Sequence, residues 1–221
     1  MSEEREGLRR AAEVMDRVHA ECVWSRAMTH EDLVPYLTEE AAEVVEAVES
    51  GDPAQLREEL GDLLWQVLFH AAVARDFDLD DVAGDLADKM TRRHPHVFAG
   101  ETAETPERVL ELWNAAKAAE KRDRTSVLDG IPQGMPALAR AQKVLARGER
   151  VGAGLEYVEE VQAGEALEAA EGEAMLPASE EELGDTILGL VALARARGWD
   201  AERALRGRIR AFEAEVRDAE G

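Results

Sequence analysis

The stretch Thr38-Glu39-Glu40-Ala41-Ala42-Glu43-Val44-Val45-Glu46-Ala47-Val48, its break at Ser50-Gly51-Asp52-Pro53, and the apolar-periodic run over residues 54–74 together decide the fold. Thr38 stands where a helix N-cap would sit, with acids in the first turn behind it. Gly51 and Pro53 stop that helix and open a turn. In the following run Leu56, Leu60, Leu63, Leu64, Val67, Leu68 and Ala71 recur at helical spacing and predict a wide apolar face. A turn this short folds the two helices back antiparallel.

Working outward, residues 8–20 carry helical spacing, whereas residues 22–36, with polar turn residues and Pro35, read as a loop or a short helical turn. Asp78 opens a helix running to Arg93 and ending at His94-Pro95-His96. Further helices are expected over residues 105–120 and 137–150, the second broken by Val151-Gly152-Ala153-Gly154. The composition is 45% hydrophobic but only 5% aromatic, the apolar share being mostly Ala, Leu and Val. Helix formers thus outweigh the β-branched and aromatic residues that strands favour, and the fold class expected is all-α.

A net charge of −22 excludes nucleic acid as a main ligand, because a phosphate backbone needs a basic surface. It still permits a small polyphosphate, provided that divalent cations bridge the two sets of negative charge. The single cysteine, Cys22, allows no intrachain disulfide, and no run approaches the ~18–20 apolar residues of a membrane span. The acidic N-terminal stretch lacks an apolar signal core. No membrane partner is expected, and the location expected is cytoplasmic.

Glu58-Glu59-Leu60-Gly61-Asp62-Leu63-Leu64 is echoed by Glu181-Glu182-Leu183-Gly184-Asp185-Thr186-Ile187, and each is followed by an apolar helix and then Phe77-Asp78 or Trp199-Asp200. The organisation expected is tandem: a module over residues 1–98, a helical linker over 99–150 and a related module over 151–221.

Glu40 and Glu43 share one helix face, and Glu59 and Asp62 share another, so the antiparallel turn can bring the two pairs together. Four converging carboxylates repel unless hard divalent ions lie between them. The bland alternative is two solvated acidic faces, which a chain with 48 Asp and Glu offers cheaply. Against it stand Leu60, Leu63 and Leu64, which put Asp62 beside an apolar face, and Gly61, whose cost inside a helix implies a close approach. Lys89, Arg92 and Arg93 on the next helix could hold phosphates, or could simply pair with Asp85 and Asp88.

The ordered set Glu39-Glu40-x-x-Glu43, Glu59-x-x-Asp62 and Lys89-x-x-Arg92-Arg93-His94-Pro95-His96-Val97-Phe98 resembles the MazG family. The likeness extends to Tyr36-Leu37, Trp113, Lys117, Ser126-Val127-Leu128-Asp129-Gly130-Ile131-Pro132 and Pro136-Ala137-Leu138-x-x-Ala141-Gln142-Lys143. The resemblance implies a MazG-like helical bundle, a homodimer, that hydrolyses nucleoside triphosphates to monophosphate and pyrophosphate. House-cleaning of non-canonical nucleotides is one role this would serve. It also implies Mg²⁺, with Mn²⁺ as a substitute, held by Glu40, Glu43, Glu59 and Asp62, and phosphate contacts from Lys89 and Arg93. Water activated by the metal would attack the α-phosphorus, with Glu39 or a metal-free oxygen of Glu40 taking the proton.

Where the family commonly has Cys-Pro-Trp-Asp and then Gln-Thr, this chain has Cys22-Val23-Trp24-Ser25 and then Met28-Thr29. Trp24 could stack on a base or be a buried aromatic, the latter the plainer expectation, and Cys22 reads as a packing residue. His94 and His96 read as structural or phosphate-proximal. In the second module Glu168, Glu171, Glu182 and Asp185 form a possible vestigial tetrad, but Ala211 and Glu215 fall where Lys89 and Arg93 do. That module is expected to be degenerate. The alternatives are a catalytically weak or inactive interaction or regulatory module of the same fold, and a related hydrolysis of phosphoribosyl-ATP or dUTP.

Overall fold

The computed structural model describes residues 6–120, 125–153 and 177–220, and among these every regular element is helical. The chain forms two compact units, residues 1–120 and 121–221. In the first unit α1 (Glu6–Glu21), a short α2 (Val23–Ala27), α3 (His30–Ser50), α4 (Pro53–Val73), α5 (Leu79–Arg93), one-turn α6 (Pro95–Phe98) and α7 (Pro106–Ala119) follow in order. In the second, α8 (Ala137–Gly148) runs into a 3-10 turn (Glu149–Val151), and α9 (Glu180–Ala196) and α10 (Ala201–Glu220) close the chain. Residues 99–150, read as a linker, are shared between the units: α7 packs on α5, and α8 packs on α9 and α10. Among the described residues no helix is long and apolar enough to cross a membrane.

The core of the first unit is Met15, Leu33, Leu68 and Phe69, with Ala11, Ala12, Met28, Trp65, Ala72, Val73 and Leu79 packed around it. Leu33 is 1% exposed although it lies where the sequence reads as a loop. The helix starts nine residues earlier than Thr38 implies, because Thr29 forms a full capping box: it accepts from Asp32 N–H while Asp32 accepts from Thr29 N–H. Pro35 is carried inside α3, and the cost of its missing N–H is offset by the burial of Leu33. Thr38 caps nothing; its Oγ1 donates back to Val34 O at 2.9 Å.

Gly51 ends α3 in the left-handed region at φ 76°. Asp52 then caps α4 by accepting from Ala54 and Gln55 N–H, with Pro53 at the first helical position. The chain thus reverses within two residues, and α3 packs on α4 more extensively than any other pair of helices. At the far end of the pair His30 and His70 meet through Nδ1 atoms 2.9 Å apart, so one ring donates and the other accepts. Burial first, and His30 second, hold the His70 pKa below its ordinary value.

In the second unit Leu145, Val191 and Ala192 form the core, with Leu138, Ala141, Leu188 and Ala201 around them. Arg147 Nη1 donates to the carbonyls of Val127 and Asp129, tying the Ser126–Ile131 turn region to α8. Glu149 pairs with Arg195 between the 3-10 turn and α9.

Thr29→Ala should destabilise the protein by about 1 kcal/mol, whereas Thr38→Ala should change stability by less than about 0.5 kcal/mol, measured by urea unfolding. Equal losses would mean that α3 does not start at Thr29.

Candidate active site

Glu40 and Glu43 lie one turn apart on α3, and Glu59 lies on α4 two turns after its Asp52 cap. The antiparallel register set at Gly51 brings carboxylate oxygens of all three within 4.8 Å of one another. Each of the three is only part exposed. Burial is the largest cause holding Glu40 and Glu59 above the ordinary carboxylate pKa, followed by Asp62 for Glu40 and by Glu43 for Glu59. Asp62 adds to the charge felt by both glutamates, yet it is exposed and stands outside the group of three. Glu39 is exposed and acts on Glu40 through its charge alone.

Gly61 is not pressed by anything: a Cβ added there would meet no atom within 4 Å. Nor does Asp62 sit against a covered apolar face, since Leu60, Leu64 and Val67 are 50%, 36% and 42% exposed. The helical periodicity is right, but that part of the stripe faces outward from this unit. What favours the carboxylate reading is the convergence itself, which spacing along one helix could not establish.

The donor set consists of carboxylate oxygens, the hard ligands that suit Mg²⁺ or Mn²⁺, with no histidine or cysteine among them. Three acids held together and partly desolvated are in the condition that a hard divalent cation relieves. The residues therefore fit such an ion.

The arginines of α5 find their ion-pair partner at the end of α7 and not on their own helix. Arg93 does not pair with Asp85 or Asp88; its Nε and Nη2 donate to Glu120 Oε2 at 3.0 and 2.6 Å. Arg92 Nε lies 3.5 Å from Glu120 Oε1. The Arg93 guanidinium stacks on Trp113 at 5.2 Å from the ring centroid. No ion pair of Lys89, Arg92 or Arg93 with the carboxylate group is present among the described residues. His94 donates from Nδ1 to Met90 O at 2.7 Å and meets Trp113 edge-on, and so buttresses the end of α5.

Trp24, expected to be buried, is 53% exposed, with edge contacts to Tyr36 and Phe69 that hold its ring on one side. Ser25 beside it is fully buried, its Oγ 3.5 Å from His19 Nδ1. Cys22 is half-buried at the start of α2.

In the second unit Glu182 occupies the third position of α9, where its carboxylate accepts from Ala178 N–H at 2.7 Å while its own N–H donates to Ser179 Oγ. Its carboxylate thus ties down the chain just before the Ser179 cap, and Asp185 is exposed. Glu168 and Glu171 lie outside the described residues.

Residues 28–98, which hold the whole carboxylate group and the α5 cations, match the MazG nucleotide pyrophosphohydrolase domain. The Escherichia coli K12 nucleoside triphosphate pyrophosphohydrolase is 40% identical over 215 residues, spanning 90% of this chain and 80% of its own length. The chain belongs to the MazG family. The Thermotoga maritima nucleoside triphosphate pyrophosphohydrolase/pyrophosphatase MazG is 38% identical over 201 residues, 86% of this chain and 76% of that one. An uncharacterised Streptomyces cacaoi protein is 43% identical over 214 residues, 95% of this chain and 81% of its own. Glu120, the partner of Arg92 and Arg93, carries no sequence signal beyond its place at the end of the helix expected over residues 105–120.

Because Glu40 and Glu59 have pKa values raised by folding, the metal-free cluster costs stability near neutral pH, and the cost vanishes as pH falls and both states become protonated. A bound cation favours the ionised forms and reverses that sense. Mg²⁺ should therefore raise Tm near neutral pH, by an amount that fades toward about pH 5 and is absent in Glu59→Gln. An equal rise in wild type and Glu59→Gln would place the cation elsewhere.

Proposed function

We propose that this chain hydrolyses nucleoside triphosphates to nucleoside monophosphate and pyrophosphate, with the working site in the first unit. The observation that carries the reading is the convergence of Glu40, Glu43 and Glu59 inside the segment that matches the family domain. Relatives named as nucleoside triphosphate pyrophosphohydrolases, similar over most of the chain, support the same chemistry.

Glu40, Glu43, Glu59 and Asp62 would hold Mg²⁺ or Mn²⁺. When bound, the cation supplies positive charge against the triphosphate and acidifies water. Lys89 and Arg93 orient the phosphates, with Arg92 beside them and Trp24 offering a ring face to the base. A water oxygen forms the new bond to the α-phosphorus, the bond between the α-phosphorus and the α–β bridging oxygen breaks, and pyrophosphate leaves carrying that bridging oxygen. Glu39, exposed and next to Glu40, accepts the water's proton. The second unit contributes structure rather than chemistry, since the Glu182 carboxylate is engaged by Ala178 N–H and Ala211 and Glu215 fall where Lys89 and Arg93 do.

Pyrophosphate release from a panel of canonical and damaged nucleoside triphosphates with Mg²⁺ tests this. Wild type and Glu182→Ala should release pyrophosphate, and Glu59→Ala should lose at least about a hundredfold in kcat/KM. Loss in Glu182→Ala alone would move the site to the second unit. No release from any nucleotide would leave an interaction module of the same fold.

The outward apolar stripe of Leu60, Leu64 and Val67 also supports a homodimer, because three large aliphatic side chains on one face of α4 are left in water. Leu64→Asp should shift the protein to monomer in analytical ultracentrifugation. An unchanged mass would mean that this stripe is not the interface.

A further inference from the structure

We infer that Glu120 is an internal competitor for the substrate's phosphates: its carboxylate occupies the Arg92–Arg93 guanidinium pair and has to leave before a phosphate can take its place. The inference rests on the reading of Arg93 as a phosphate ligand and adds a residue that controls how tightly that ligand binds.

The geometry is that of an anion already seated in an anion site. Glu120 Oε2 accepts from both Nε and Nη2 of Arg93, and Oε1 faces Arg92. The side chains of Arg93 and Glu120 are 11% and 22% exposed, so water screens the pair weakly. The Glu120 pKa is held below its ordinary value mainly by the hydrogen bond from Arg93, and the carboxylate is therefore ionised at neutral pH. A phosphate offers the same two guanidinium groups more oxygens and more charge, and Lys89 lies one turn before Arg93 on α5.

Two features make the carboxylate the part that gives way. First, Arg93 is held independently of Glu120: its guanidinium lies over Trp113, which His94 meets edge-on. The fork stays aimed after the carboxylate departs. Second, Glu120 sits at the C-cap of α7, where the helix dipole disfavours a negative charge. The hydrogen bond from Arg93 is the largest cause that favours its ionised form there, so a phosphate that takes the arginines removes that hold. Glu120 thus keeps Arg93 neutralised while no phosphate is bound and tunes affinity for polyphosphate.

An occupied fork weakens apparent affinity by the fraction of molecules in which it is free, so removing the charge should tighten binding. The test is calorimetry with inorganic tripolyphosphate and Mg²⁺ on the full chain, in wild type, Glu120→Gln and Glu120→Asp, alongside KM for a nucleoside triphosphate. Glu120→Gln should bind tripolyphosphate about fivefold tighter and lower KM in parallel, with Glu120→Asp, shorter but still charged, between it and wild type. A purely structural role for Glu120 would move both quantities the other way. Unchanged or weaker binding in Glu120→Gln, or no tripolyphosphate binding by any form, overturns the inference. Should Glu120→Gln not fold, Glu120→Asp decides it: affinity no better than wild type overturns it. Mg²⁺-dependent pyrophosphate release from wild type without any gain in Glu120→Gln sinks the competitor alone. Absence of release from wild type sinks the hydrolase reading, whatever the binding shows.

Discussion

Helices α3 and α4 reverse on each other through Gly51 and Asp52, and the register of that reversal is the constraint on which the rest of the first unit depends. It places Leu33 against Leu68 and Phe69 in the core. It joins His30 to His70 at one end of the seam and gathers Glu40, Glu43 and Glu59 nearer the turn. The favourable terms along the seam are apolar burial and two well-formed caps; the unfavourable one is the gathered charge. A short turn with a glycine in the left-handed region and an aspartate cap leaves the helices little freedom to slip apart and relieve it. The repulsion is stored where a cation can release it.

Much of this was legible because helical periodicity and capping chemistry are local. Asp78 and Thr105 both start helices where their side chains imply, and Gly51 ends α3 where the sequence breaks. Two local signals misled, each for a tertiary reason. Residues 22–36 read as a loop or a short helical turn, which fits α2, yet burial of Leu33 and the Thr29–Asp32 box carry α3 through Pro35. Thr38 has a cap's chemistry but lies in mid-helix, where its hydroxyl turns back on Val34.

The site was legible to a different depth at each residue. Glu40, Glu43 and Glu59 follow from spacing plus the antiparallel turn. The argument from Gly61 and the leucines around Asp62 does not hold, because periodicity tells which side chains share a face and not what that face meets. Arg93 shows the same limit. Its helix could be read, but its partner lies twenty-seven residues away at the end of α7, and sequence carries no signal for so distant a contact. The echoed Glu-Glu-Leu-Gly-Asp segments show it most plainly. Glu59 stands in mid-helix facing two carboxylates, whereas Glu182, in the same local sequence, stands at the third position of its helix and accepts from Ala178 N–H ahead of the Ser179 cap. A difference in where the helix begins gives one residue type two roles.

The account turns on whether the α3–α4 carboxylates hold a divalent cation, and anomalous diffraction from crystals grown with Mn²⁺ tests that most directly. The account predicts an anomalous peak coordinated by Glu40, Glu43 and Glu59, with Asp62 at its edge. Bound Mn²⁺ elsewhere with none between these glutamates would contradict it, and the acids would then be no more than a strained feature of the helix pair.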